Sequence, residues 1–131
     1  MLTLLLPGQT ITYYGEEIGM IDGNVTWDDT VDLRALEKSE KEYEEYSRDP
    51  FRTPMQWDDT VSAGFSSNET TFLPVNSDYK EINVKKQLDD PDSNLEAYKK
   101  LSMIRENPIF TRGDYELTVV NDTNILILKR Y

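Results

Sequence analysis

Residues 47–93 constrain the fold most, because their apolar positions repeat at neither the helical nor the strand interval. The stretch holds Pro50, Pro54, Pro74 and Pro91. A loop of this length is rare inside a compact domain. It is not a disordered tail either, since Met55, Trp57, Phe65, Phe72 and Tyr79 need something to pack on. The economical reading is an elaborated loop lying over a scaffold, with Glu81-Ile82-Asn83-Val84 as a brief extended piece.

The flanking segments are simpler. Residues 1–6 read as the last turn of an apolar helix that Pro7-Gly8 stops. Ile11-Thr12-Tyr13-Tyr14 is β-branched and aromatic, and reads as a short buried strand. Residues 31–46 are polar and helix-prone, and read as a solvated acidic surface helix. Leu95, Tyr98, Leu101 and Ile104 fall at steps of three, an amphipathic stripe on a helix that Asp92, Ser93 or Asn94 can cap. Asn107-Pro108 ends that helix. Tyr115 to Val120 and Ile125 to Arg130 are strand-like, and the turn residues Asn121 to Asn124 join them into a hairpin. The early strand has no sheet to join, so its pairing partners are expected outside these 131 residues.

Composition narrows the partners. The net charge of -11 repels phosphate backbones and anionic membrane surfaces, which excludes nucleic acid as an expected ligand. With no cysteine and no histidine, disulfides, thiolate metal sites and a serine–histidine nucleophile are all excluded within the chain. No cofactor or metal is expected. No segment approaches the roughly 20 apolar residues of a membrane-spanning helix. Met1 to Leu6 is too short for a signal-peptide core. Yet Asn24, Asn68 and Asn121 each open an N-x-Thr sequon, which points to a secretory route and to three glycosylation sites. A secreted protein would carry its leader outside these residues.

Two stretches hold the residue types that chemistry needs. If the strand stays extended through Gly15, then Ile11, Tyr13, Gly15 and Glu17 share one face. Acids at the C-terminal end of a buried strand suit the active face of an α/β barrel. The same two glutamates also suit a surface loop. The second stretch is Ser47 to Asp59, where Pro50 and Pro54 limit the backbone. Arginine donors, a tryptophan face and acidic acceptors are the mix a carbohydrate site needs. The alternative is a loop stapled by Arg–Asp pairs around Trp57 as its small core, and for Trp57 that is the favoured reading.

Residues 7–20 resemble the eighth-strand motif of glycoside hydrolase family 13, the α-amylase family, which reads G-x-P-x-x-Y-x-G-x-E. Gly8, Tyr13, Gly15 and Glu17 match it, and Thr10 stands where proline is usual. Arg48 to Asp59, followed by Ala63-Gly64-Phe65, is similar to the R-D-x-x-R-T-P-M-Q-W-D…A-G-F segment of the α-glucosidase and oligo-1,6-glucosidase branch. Asn76 to Val84 continues the likeness. Asp49-Pro50 and the sequons resemble animal maltases, particularly insect ones.

The resemblance implies an α/β fold: the last βα unit of a (β/α)8 TIM barrel with a long βα loop, then the first hairpin of an antiparallel β domain. Residues 1–108 would hold strand eight, the loop and helix eight (94–107), and 109–131 would begin the β domain. The implied activity is retaining α-glucoside hydrolysis of maltose, sucrose or short oligosaccharides. Its catalytic acids come from strands four, five and seven, which would precede residue 1, so this piece alone is expected to be inactive. Glu17 and Arg52 match the family's substrate-contacting positions. A second implied reading is the extracellular glycosidase-like domain of an amino-acid transporter heavy subunit.

Overall fold

The structure, a computed structural model, describes residues 2–120 and 124–131. These divide into two compact units: Met1–Thr12 with Ala97–Tyr131, and Tyr13–Glu96.

The first unit is built from helix ends and a hairpin. Helix α1 (Leu2–Leu5) stops at Pro7-Gly8, as its sequence predicts. Its C-terminal carbonyls have no intrahelical donors. Arg105 supplies them: Nη1 donates to Leu4 O at 2.6 Å and Leu6 O at 2.9 Å, and Nη2 donates to Gly8 O. Helix α5 (Asn94–Arg105) is the predicted amphipathic helix, and Ser93 caps it by accepting the Glu96 N–H at 3.2 Å. Its stripe grades from buried Leu95 through half-buried Tyr98 and Leu101 to exposed Ile104.

Asn107-Pro108 ends α5 and also starts a second helix that the periodicity did not reveal, α6 (Pro108–Arg112). Asn107 Oδ1 accepts the Ile109 N–H at 3.0 Å, and proline sits in the first turn, where its missing N–H costs nothing. Strands β1 (Tyr115–Val119) and β2 (Leu126–Arg130) pair antiparallel, with Tyr115 opposite Arg130 and Val119 opposite Leu126. The predicted hairpin is therefore present, each strand one residue shorter than expected. Its turn at Asn121 to Thr123, and with it the Asn121 sequon, lies outside the described residues.

Ile11 to Tyr14 is not a strand. Ile11 is 80% exposed, against the expected burial. Among the described residues the two strands pair with each other, so no extended neighbour offers this segment a ladder.

The Tyr13–Glu96 unit contains no strand among its residues and a small apolar core of Ile18, Met55 and Leu95, with Met20, Ile82 and Val84 against it. Much of its interior is polar. Thr53, Gln56, Asn83 and Asp49 are all fully buried: Asn83 and Asp49 accept N–H groups, Gln56 Nε2 donates to Ile82 O, and the Thr53 carbonyl accepts the Tyr14 hydroxyl. The single acidic helix expected over 31–46 is two helices, α2 (Leu33–Leu36) and α3 (Tyr43–Tyr46), parted by a turn in which Ser39 Oγ donates to Glu42. The expected extended piece at 81–84 is instead the entry to α4 (Val84–Leu88), with Asn83 Oδ1 accepting the Lys86 N–H at 2.8 Å. Asn83 is itself the sequence signal for that cap.

Candidate functional site

The turn after Tyr14 aims the first candidate residue. Gly15 adopts φ +90°, a left-handed conformation that side chains rarely tolerate, and a Cβ there would meet Met20 Sδ at 2.7 Å. The chain therefore reverses at Gly15, with Ile18 and Met20 N–H both donating to its carbonyl. The Glu17 carboxylate turns back to accept the Gly15 N–H at 2.8 Å. The expected extended run through Gly15 to Glu17 does not form. Turn geometry, not strand alternation, places Glu17.

The second candidate, Arg52, ends the 3₁₀ turn Asp49–Arg52, which side chains hold from beneath. Asp49 Oδ2 accepts the N–H groups of Val31 at 2.8 Å and Asp32 at 2.9 Å. Asp32 caps α2 through the Arg34 N–H and receives Arg48 three times: from its N–H at 2.9 Å, Nε at 2.8 Å and Nη2 at 2.6 Å. The Arg48 guanidinium holds the Asp32 carboxyl far below the usual carboxylate range, against the opposing pull of burial. The same hydrogen bonds raise Arg48 above its already high value. The expected Arg–Asp staple is thus present, and Asp32 is buried, not solvated.

Glu17 and Arg52 meet on one concavity of about 280 Å3, whose walls are Tyr14, Trp57, Phe65 and Phe72 over a floor of Pro54 and Met55. Trp57 departs from its expected role as a loop core, since half of its surface is exposed. Its backbone is nevertheless fixed: the N–H donates to Ala63 O at 2.8 Å and the carbonyl accepts the Lys85 N–H at 2.9 Å. The indole is free to be a wall because Met55 and Ile18 take the core.

The acceptor of that Trp57 bond lies in a strained turn. Ser62, Ala63 and Gly64 all have positive φ, at 50°, 55° and 69°. Two adjacent non-glycine residues in this region persist only where surroundings impose them. Here Ala63 is fully buried, and its carbonyl takes both the Trp57 and Asp58 N–H groups. Phe65 follows directly, so the turn sets two of the aromatic walls.

Tyr14 donates its hydroxyl to Thr53 O at 2.9 Å. Burial, and then the neighbouring Tyr13, push its phenol up to about 12, with the Arg52 charge pulling the other way. Tyr14 is therefore a neutral wall at physiological pH. Of these walls, Tyr14 belongs to the strand-like run and Phe65 to the Ala63-Gly64-Phe65 likeness, while the signal at Phe72 is an aromatic side chain in loop sequence. Asn24 and Asn68 are both exposed.

The α-amylase catalytic-domain model matches residues 1–113. The chain belongs to the α-amylase family. The salivary α-glucosidase of Aedes aegypti is 48% identical over 95% of this chain, and the human amino acid transporter heavy chain SLC3A1 is 36% identical over 99% of it. The chain spans 21% of the first relative and 17% of the second. A mutant of Bacillus licheniformis trehalose-6-phosphate hydrolase superposes with a TM-score of 0.82 at 36% identity, covering 99% of this chain and 26% of that one. The solved neighbours of this α-amylase family member are TIM-barrel enzymes, which accords with the α/β barrel class in its coarse form.

Proposed function

We propose that these residues form part of the sugar pocket of a maltase-type α-glucosidase. In this reading Ile11 to Tyr14 becomes the eighth barrel strand once the other strands flank it, residues 15–93 form the loop on the catalytic face, and 94–107 the eighth helix. Residues 109–131 then begin the C-terminal β domain. The nucleophilic carboxylate that forms the covalent glycosyl intermediate, the acid that protonates the leaving oxygen and the carboxylate that stabilises the transition state come from strands four, five and seven of the full-length enzyme. Glu17 and Arg52 bind; they do not catalyse.

One observation carries the reading: Glu17 and Arg52, far apart in sequence, open onto the same aromatic-walled cavity. A guanidinium donates in a fixed planar fork and a carboxylate accepts, so together they can read the alternating hydroxyls of a glucosyl unit. The aromatic walls give apolar faces for the ring. The substrate is a maltose-like α-glucoside, and the exposed Asn24 and Asn68 fit a glycosylated, secreted protein. The transporter-subunit reading is the weaker one, because identity to that relative is lower than to the α-glucosidase.

The test is Arg52→Ala in the full-length enzyme. Losing charge-assisted hydrogen bonds should cut kcat/KM for maltose by at least about tenfold. Unchanged maltose kinetics would overturn the assignment.

A further inference from the structure

Glu17 is aimed by its backbone, so whatever fixes that backbone decides where the carboxylate points. The turn from Tyr13 to Met20 is closed by local bonds: the Ile18 and Met20 N–H groups reach the Gly15 carbonyl at 3.2 and 2.9 Å, and Glu17 Oε2 accepts the Gly15 N–H. Those bonds shape the turn without orienting it. The next residue after Glu17 is gripped from 69 residues away, where Gln87 Nε2 donates to the Ile18 carbonyl at 2.7 Å. The other end of the same amide, Gln87 Oε1, accepts the Leu95 N–H at 3.0 Å. Leu95 stands in the first turn of α5, where N–H groups have no intrahelical partner.

Ile18 and Leu95 also share the small apolar core. One side-chain amide therefore ties, through the backbone, two residues whose side chains already pack together. Gln87 itself starts from a fixed base. Its N–H donates to Asn83 O at 3.2 Å, and its carbonyl accepts Ser93 Oγ at 2.9 Å. The chemistry at this position selects an amide, because the task needs a donor and an acceptor on one neutral group. An ionised carboxylate only accepts, and an ammonium only donates. The partners also fix which way the amide points, since a carbonyl lies on one side and an N–H on the other. Gln87 does not line the Glu17–Arg52 cavity.

We propose that Gln87 is a positioning residue for substrate binding: by holding the Ile18 carbonyl it sets the angle at which the Glu17 carboxylate enters the sugar pocket. It acts through Glu17 and touches no substrate. The inference rests on the α-glucosidase reading above.

The experiment is a double-mutant cycle of Gln87→Glu and Glu17→Ala in the full-length enzyme, read as KM and kcat for maltose. Gln87→Glu keeps the acceptor for Leu95 and sets a second acceptor against the Ile18 carbonyl, so the turn loses its anchor. Alone, it should raise KM about fivefold, the worth of one hydrogen bond, with kcat within about twofold of wild type. In the Glu17→Ala background the same change should move KM by less than about twofold, because no carboxylate is left to misplace. Equal rises in both backgrounds, no rise in either, or a loss confined to kcat would overturn the positioning role. If Gln87→Glu fails to fold, Gln87→Met removes both bonds without adding a charge and enters the same cycle. The two readings stay separable. If Glu17→Ala leaves maltose KM unchanged, the pocket assignment itself fails. If Glu17→Ala raises KM and Gln87→Glu does not, only the role of Gln87 fails.

Discussion

The two units solve the same backbone problem with opposite chemistry. In Tyr13–Glu96, side-chain oxygens collect backbone N–H groups across long sequence distances: Asp49 takes those of Val31 and Asp32, and Gln87 Oε1 takes that of Leu95. In the other unit, guanidiniums collect carbonyls. Arg105 gathers Leu4, Leu6 and Gly8, and Arg130 Nη2 gathers Ile109, Phe110 and Gly113. The difference follows from the elements present. Helix C-termini leave carbonyls without donors, and a planar fork of N–H groups is their natural partner. An irregular loop leaves unpaired N–H groups as well, which need buried acceptors. The candidate site therefore stands on carboxylates and amides, and its stability should depend on the ionisation of Asp32.

The largest expected effect breaks that dependence. Asp32→Ala removes the acceptor of four donors, from Arg34 and Arg48, and strands the Arg48 guanidinium. In the full-length protein it should lower Tm by several degrees and open residues 28–60 to limited proteolysis. The pH arm has a definite sign. A carboxyl held far below its unfolded value, about 3.9, contributes stability fully present above that pH and lost as pH falls below it. Wild type should lose Tm on acidification through this window more steeply than Asp32→Asn. Parallel curves would mean that the pair does not anchor the loop.

A smaller effect tests the other side of the contrast. Arg105→Ala should cost about 2 kcal/mol, the worth of charge-assisted bonds to otherwise unpaired carbonyls. Chemical denaturation of the full-length protein measures it. Maltose KM should stay unchanged, because Arg105 reaches α1 and not the Glu17–Arg52 cavity. A raised KM would show that the helix-end unit and the site are not energetically separable.

What could be read from sequence follows the same division. The stripe of α5 and the hairpin are short-range periodic patterns, and both are present. Ile11 to Tyr14 carries strand chemistry but no ladder, since strandness is a property of a pair. Asn107-Pro108 and Asn83 carry the capping chemistry of helix starts, although their neighbours suggest only a helix end and an extended piece. Arg52 and Glu17 came from a motif likeness, and nothing in their spacing brings them together. That meeting depends on Gly15 reversing the chain and on Asp49 and Asp32 fixing the turn before Arg52. Asp32 itself was hidden, because one buried acid in an acidic run looks like its solvated neighbours.

The smallest predicted effect bears on how the site's aromatic walls are held. Gly64 has φ +69°, and a Cβ there would come within 2.7 to 2.9 Å of the Asp58 carboxylate. Asp58 cannot yield freely, because its Oδ1 accepts both the N–H and the hydroxyl of Thr60 at 2.8 and 2.5 Å, bonds that also lower its pKa. Gly64→Ala should therefore cost about 1–2 kcal/mol from the left-handed backbone alone. More informative is where that loss appears. Ala63 O holds Trp57, so a displaced turn moves the indole and should raise maltose KM more than it lowers kcat. Trp57→Phe, which keeps an apolar face, should give a milder rise in KM without the loss of stability. If Gly64→Ala destabilises but leaves KM untouched, the strained turn is a folding device only, and the pocket's aromatic wall is held by some other contact.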